Sequence, residues 1–343
     1  MKNITKSILL LGVWVLLASC ENEDWEFPDY DYQTVYFAHQ YPVRTITLGE
    51  DIFDTSLDNE WKIQIMATTG GVYENKQDVI VDVSVDNSLV QGFSFENAGP
   101  IMAMPESYYT MKSNQIVIPK GEIIGGVEVE FSSAFFEDSL SLERNYVIPL
   151  RMNSVKNADS ILVGQPVGAS GRRGVLSDWA VEPKDFVLYA VKYINPYHGF
   201  YLRRGEDQIV GKNGNTALDQ TLVRRADFVE DDEVVSLTTQ SLSEVIFPVI
   251  YKDSDGSNID VELILSVDED GTISISSDSE DYSVSGSGSF VKDGEQKSWG
   301  NQDRDAIYLE YEVDLENIRV STADTLVIRN RGVEMELFTP VLE

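Results

Sequence analysis

The stretch Val79-Ile80-Val81-Asp82-Val83-Ser84-Val85 puts a valine at every odd position and, from residue 82 on, a polar side chain between each pair. In an extended strand successive side chains point to opposite faces, so a period of two buries one face and wets the other. Segments 34–38, 45–48, 61–68, 115–119, 126–131 and 146–152 read the same way, while helical periodicity is weak except around 134–142. Pro119-Lys120-Gly121-Glu122 joins two of these segments with the fixed φ of proline and the freedom of glycine. Seven short alternating segments between 34 and 153 predict an immunoglobulin-like β-sandwich.

The pattern fades over 154–180, where Gly164, Pro166, Gly168, Gly171 and Gly174 accompany Arg172-Arg173, and this stretch reads as a linker. Alternation resumes over 181–343, with its first strand expected at 186–193. Asp253-Ser254-Asp255-Gly256 and Asp268-Glu269-Asp270-Gly271 end in Asp-Gly between alternating segments, the signature of tight hairpins. A run of hairpins with few long connections predicts an antiparallel meander closing into a lipocalin-like barrel. The fold class expected is all-β, a sandwich followed by a barrel.

The first residues read as an export signal. Lys2 and Lys6 precede an apolar, uncharged run at 8–17, and Leu17-Ala18-Ser19-Cys20 follows. Small residues before the chain's single cysteine form a lipobox. Residues 1–19 are therefore expected to be a lipoprotein signal peptide, Cys20 the lipidated residue, and 20–33 an acidic tether. Acyl chains contribute about 0.8 kcal/mol per buried methylene, so the lipid alone is the expected membrane anchor.

Removing residues 1–19 takes away two lysines and no acid, moving the formal charge from −32 to −34. Such a chain lacks the cationic surface that neutralises phosphates, which argues against nucleic-acid partners. His39 and His198 are the only histidines, too few for a multi-histidine zinc site. The spacing of Asp253, Asp255, Asn258 and Asp260 suggests a calcium loop, but Glu262 comes too early to complete one, and a hairpin turn is the expected reading. Fifty-eight acids make chance carboxylate pairs common, and no strand carries a hydrolase signature. The expectation is a protein without enzymatic activity or cofactor.

Tyr41-Pro42, Gly70-Gly71-Val72-Tyr73-Glu74-Asn75, Ile116-Val117-Ile118-Pro119-Lys120-Gly121 and Tyr146-Val147-Ile148-Pro149-Leu150 resemble the N-terminal adhesin-like domain of Bacteroidota surface lipoproteins. The run 286–294, with Trp299-Gly300 and Arg304-Asp305-Ala306-Ile307-Tyr308-Leu309, resembles the lipocalin-like domain that follows it. Glu21-Asn22-Glu23-Asp24 resembles the acidic signal that sends such lipoproteins to the outer face of the outer membrane. The resemblance implies glycan-utilisation systems, with an outer-membrane transporter complex as candidate partner. It implies no catalytic residues.

Two groups are candidates for glycan contact. Trp299 and Asn301 lie in a polar loop, where an exposed indole is expected to serve binding. Tyr197, His198, Tyr201 and Arg203 belong to the densest aromatic and polar cluster, 193–204, whose rings are expected to plug the opposite end of the barrel. The function expected is a non-catalytic surface lipoprotein that captures or presents glycan for polysaccharide uptake. The alternative is a structural or adhesion lipoprotein that binds other envelope proteins.

Overall fold

The computed structural model describes residues 29–253 and 255–343; residues 1–19, expected to be a signal peptide, Cys20 and residues 21–28 lie outside it, as does Ser254 of the first Asp-Gly turn. The strands of the first part are β1 (Thr34–Tyr36), β2 (Pro42–Thr47), β3 (Lys62–Gly70), β4 (Val79–Val85), β5 (Phe93–Phe95), β6 (Met102–Ala103), β7 (Tyr109–Met111), β8 (Gln115–Ile118), β9 (Ile124–Phe131), β10 (Tyr146–Lys156), β11 (Ser160–Ile161), β12 (Gln165–Pro166), β13 (Trp179–Val181) and β14 (Phe186–Ile194). Those of the second are β15 (Gly199–Gly211), β16 (Gln220–Arg224), β17 (Glu233–Thr239), β18 (Glu244–Lys252), β19 (Asn258–Val267), β20 (Thr272–Ser276), β21 (Ser283–Glu295), β22 (Arg304–Asp314) and β23 (Ile318–Asn330). Two short strands end the chain, β24 (Glu336–Leu337) and β25 (Pro340–Leu342).

The first sheet runs β11-β1-β3-β9-β8-β4-β10-β14-β2-β24. At its corner β8 and β9 share a single pair, Val117 with Gly126. A Cβ on Gly125 would lie 2.1 Å from the Val117 carbonyl oxygen, so glycine is what lets the sheet turn back on itself there. Val79, Val81 and Val83 meet Ile63, Ile65, Val127 and Val129 in the resulting core, as their alternation predicts. A short helix at Ser133–Glu137 plugs one end with buried Phe135 and Phe136.

The expected boundary moves. Residues 186–194 form β14, which pairs antiparallel with β10 and parallel with β2 and so belongs to the sandwich, not the barrel. Phe186, Leu188 and Ala190 face a second small core with Val147 and Phe338, while Val187, Val191 and Tyr193 face the main one. A strand buried on both faces reads as a near-continuous apolar run, which names no partner. Nor is 154–180 a free linker. β11 pairs with β1, the Trp179 indole donates to the Arg172 carbonyl, and Arg173 forms a buried ion pair with Asp185. The tail also returns to the sandwich, β24 pairing with β2 and β25 with β5.

From β15 on, the meander is the one expected. Strands β15 and β17 to β23 pair in sequence, all antiparallel, and β23 closes on β15 from Phe200–Asn330 to Gly211–Ile318. Gly256 and Gly271 close the two Asp-Gly hairpins at φ 86° and 80°, where a side chain would be strained. The Asp253–Asp260 stretch is thus a hairpin turn and strand start, and no carboxylate group among the described residues is arranged to hold a metal. Alternate residues of each strand fill the interior, as in Val245, Phe247, Val249 and Tyr251 of β18.

Halfway along, the filling is polar. Asp324 accepts from Arg203 at 2.8 Å, Arg224 at 2.7 Å and the Tyr311 hydroxyl at 2.9 Å. Arg224 also pairs with Asp207, which accepts from Thr322 at 2.7 Å. This layer stops the barrel from being an open tube, and the end nearest the sandwich is hollow.

Candidate functional site

That hollow end is a cleft of about 390 Å³ between the two parts of the molecule. Its floor is Tyr201, Phe290 and Ile328, inward-facing side chains of β15, β21 and β23. Lys292, Arg304 and Asp305 form one wall. The sandwich supplies the other through the Gly49–Ile52 loop, together with Pro196 from the connection between β14 and β15. Ile52 is fully exposed at the rim. The Asp51 Oδ2 atom is shielded from solvent without a hydrogen-bond partner, so it presents an unused acceptor.

The two candidate clusters converge at this end instead of lying at opposite ends. Tyr197 packs edge-on against Phe290 with ring centroids 5.1 Å apart, and its carbonyl accepts from the Tyr201 hydroxyl at 2.8 Å. Trp299 is half-buried, correcting the expectation of a free, exposed ring. Its indole N–H donates to the Ile328 carbonyl at 3.0 Å, and the Arg304 guanidinium lies 3.7 Å from its ring centroid. Trp299 therefore backs a wall residue and does not line the cleft. Asn301 is exposed at φ 55° in the same turn, away from the lining. Arg203 is 5% exposed and committed to the barrel interior, so it is not available to a ligand.

His198 faces a smaller neighbouring cavity. Its Nδ1 lies 3.1 Å from the Thr239 backbone nitrogen and accepts that N–H. Burial, with Arg331 and Lys192 nearby, pushes its pKa down to about 4. A histidine held neutral in the fold and free to protonate when unfolded makes the unfolded chain the better proton binder between about pH 6.5 and 4. Its contribution is present above 6.5 and is lost as pH falls through 4. In urea unfolding at pH 7 and pH 4, the stability advantage of the parent over His198→Asn should shrink by about 1–3 kcal/mol. Asparagine keeps an acceptor near the Nδ1 position, so an equal advantage at both pH values would show that the imidazole does not titrate in this range.

Sequence reasoning missed Arg331, Arg304, Phe290 and the Gly49–Ile52 loop. Arg331 donates to the carbonyl oxygens of Leu48 (3.0 Å), Glu50 (3.0 Å), Asn195 (2.6 Å) and His198 (2.7 Å). One side chain thus ties the end of the barrel to the sandwich loop and to the connection between the two parts. No periodicity marks such a residue.

The fold and this junction define a two-part all-β protein in which a sandwich caps a closed eight-stranded barrel. The chain belongs to the family of a Bacteroides ovatus protein of unknown function whose crystal structure is 45% identical, with a TM-score of 0.87 over 92% of this chain and all of that one. A family model for the domain of unknown function DUF5627 matches residues 196–332, which enclose strands β15 to β23, and a second, for an N-terminal domain, matches 30–159. A further Bacteroides ovatus structure, described as a candidate carbohydrate-binding protein, is 13% identical with a TM-score of 0.27 over 90% of this chain and 78% of that one, too distant to bear on fold or function. No curated protein matches the chain.

Proposed function

We propose that this protein is a non-catalytic lipoprotein, anchored through Cys20 at the outer membrane, that captures or presents glycan for a polysaccharide transporter complex. The observation that carries the reading is the barrel mouth. It sets the ring of Phe290 and the apolar faces of Ile328 and Ile52 beside Lys292, Arg304, Asp305 and the unpartnered Asp51 carboxylate oxygen. Sugars need this pairing, because their C–H faces pack on rings while their hydroxyls seek charged donors and acceptors. Four acids and four bases line the cleft, so a neutral ligand meets no net repulsion.

Titration calorimetry against oligosaccharides selected on a glycan array tests this. Phe290→Ala should weaken binding by about 1–3 kcal/mol, roughly ten- to a hundredfold. Ile52→Ser should weaken it less and leave the melting temperature unchanged, since its side chain packs on nothing. Trp299→Ala should cost stability through the lost indole hydrogen bond and Arg304 stack, and affinity only in proportion to how far Arg304 moves. Unchanged binding by Phe290→Ala would remove the mouth as the glycan site.

A further inference from the structure

A second concavity, about 600 Å³, lies on the outer wall of the barrel where β21, β22, β23, β15 and β16 run side by side. Register places Ser289, Tyr308, Thr325 and Arg204 in one row across these strands, and Ser287, Glu310, Ala323, Glu206 and Val223 in the next. The floor is made of short side chains and the rim of long ones. Glycine deepens it: a Cβ on Gly288 would lie 2.4 Å from the Tyr308 carbonyl oxygen, and one on Gly205 would lie 2.1 Å from Asp324 Oδ1. The strands therefore close in at these points and the wall sinks.

We infer that this trough is a second carbohydrate site, taking a neutral, hydroxyl-rich oligosaccharide; the inference rests on the glycan reading of the mouth. Two arginines (204 and 225) and two acids (Glu206 and Glu310) face it, a formal balance within a chain of net charge −32, while Arg224 and Asp324 behind it are paired in the barrel interior. The chain's overall charge repels acidic polymers, and an apolar segment would find little beyond Val223 to cover. A neutral sugar chain escapes both penalties, and its paired hydroxyls match guanidinium and carboxylate forks. Tyr308 stands between Ser289 and Thr325, with its hydroxyl held by Glu295 at 2.9 Å, so a fixed ring flanked by small residues is offered to a sugar face. The side chains of Arg225 and Glu310 are exposed and make no hydrogen bond or ion pair among the described residues, which leaves both free for a ligand. The volume lies within the range of about 300–1,000 Å³ common to small-molecule sites.

The test is calorimetric titration of the full chain with neutral gluco-, manno-, xylo- and galacto-oligosaccharides of two to eight units. The parent should bind at two sites. The Arg225→Ala/Glu310→Ala double variant, which disturbs no internal contact, should lose one site at least tenfold and keep the one that Phe290→Ala removes. Tyr308→Ala should behave like the double variant, whereas Tyr308→Phe, which keeps the ring, should bind as the parent does. A single site abolished by Phe290→Ala and untouched by the trough variants would overturn the inference and leave the mouth reading standing. Binding of none of these sugars by the parent would overturn both. Titration of the trough by a peptide but by no sugar would overturn the choice of ligand.

Discussion

Arg331→Ala should cost about 3–5 kcal/mol and split a single melt into two transitions. Arg331 is 6% exposed, and its guanidinium donates to four carbonyl groups from two segments of chain, 48–50 and 195–198. Burial holds its pKa below the usual arginine value, yet no carboxylate lies within ion-pair distance among the described residues. Removing it takes the guanidinium donor from all four carbonyl groups; Asn195 keeps the His198 N–H at 3.3 Å, and a shielded carbonyl left without a donor costs roughly 1–3 kcal/mol unless water enters. The lost groups lie on both sides of the junction, so the coupling of sandwich and barrel weakens together with their stability. Calorimetric scanning of parent and variant reads both effects. A variant that melts in one transition within about 1 °C of the parent would show that β24 and β25 join the two parts without Arg331. The same reasoning bears on fragments. A piece beginning near Ser177 carries β14 without β2 or β10, exposing a strand apolar on both faces.

A comparable loss, about 3–5 kcal/mol, is expected for Asp324→Ala, localised to the barrel. The Asp324 carboxylate is the shared acceptor of Arg203, Arg224 and the Tyr311 hydroxyl, and its side chain is fully buried. Truncating it leaves a buried guanidinium, Arg203, with the Tyr311 hydroxyl at 3.2 Å, the Phe247 ring and, as its one remaining carboxylate among the described residues, Glu233 at 3.7 Å. Breaking one half of a buried pair is costly, whereas replacing both halves with apolar groups of similar volume is often close to neutral. Arg203→Met with Asp324→Leu should therefore recover more than half of what Asp324→Ala loses, in urea unfolding followed by circular dichroism. If the single and double variants are equally unstable, packing of the layer matters more than its charge.

The alternation in β4 and β18 and the Asp-Gly turns of the barrel were legible because period-two patterning and turn chemistry act over a few neighbouring residues. The short helix at Ser133–Glu137 was legible as the one break in that pattern. β14 was misassigned because its pattern says only that both faces are buried; its parallel pairing with β2 joins residues some 147 positions apart, as Ala190 with Val43 shows. Candidate residues divided in the same way. Tyr197 and Tyr201 were found as a local aromatic cluster, but their meeting with the Trp299 loop depends on barrel closure. Arg203 looked like a ligand contact because a sequence does not reveal which arginine faces a buried carboxylate.

The sequence by itself determined that this chain is all-β, that its second half is a meander of hairpins, and that its charge disfavours anionic polymers. These properties are local or additive. Tertiary structure decided where one part ends and the next begins, which end of the barrel is hollow, and which side chains remain free for a ligand. Each of those depends on which buried polar groups find partners far away in sequence, and Arg331, Asp324 and Asp51 acquire their roles only once strands distant along the chain are brought side by side.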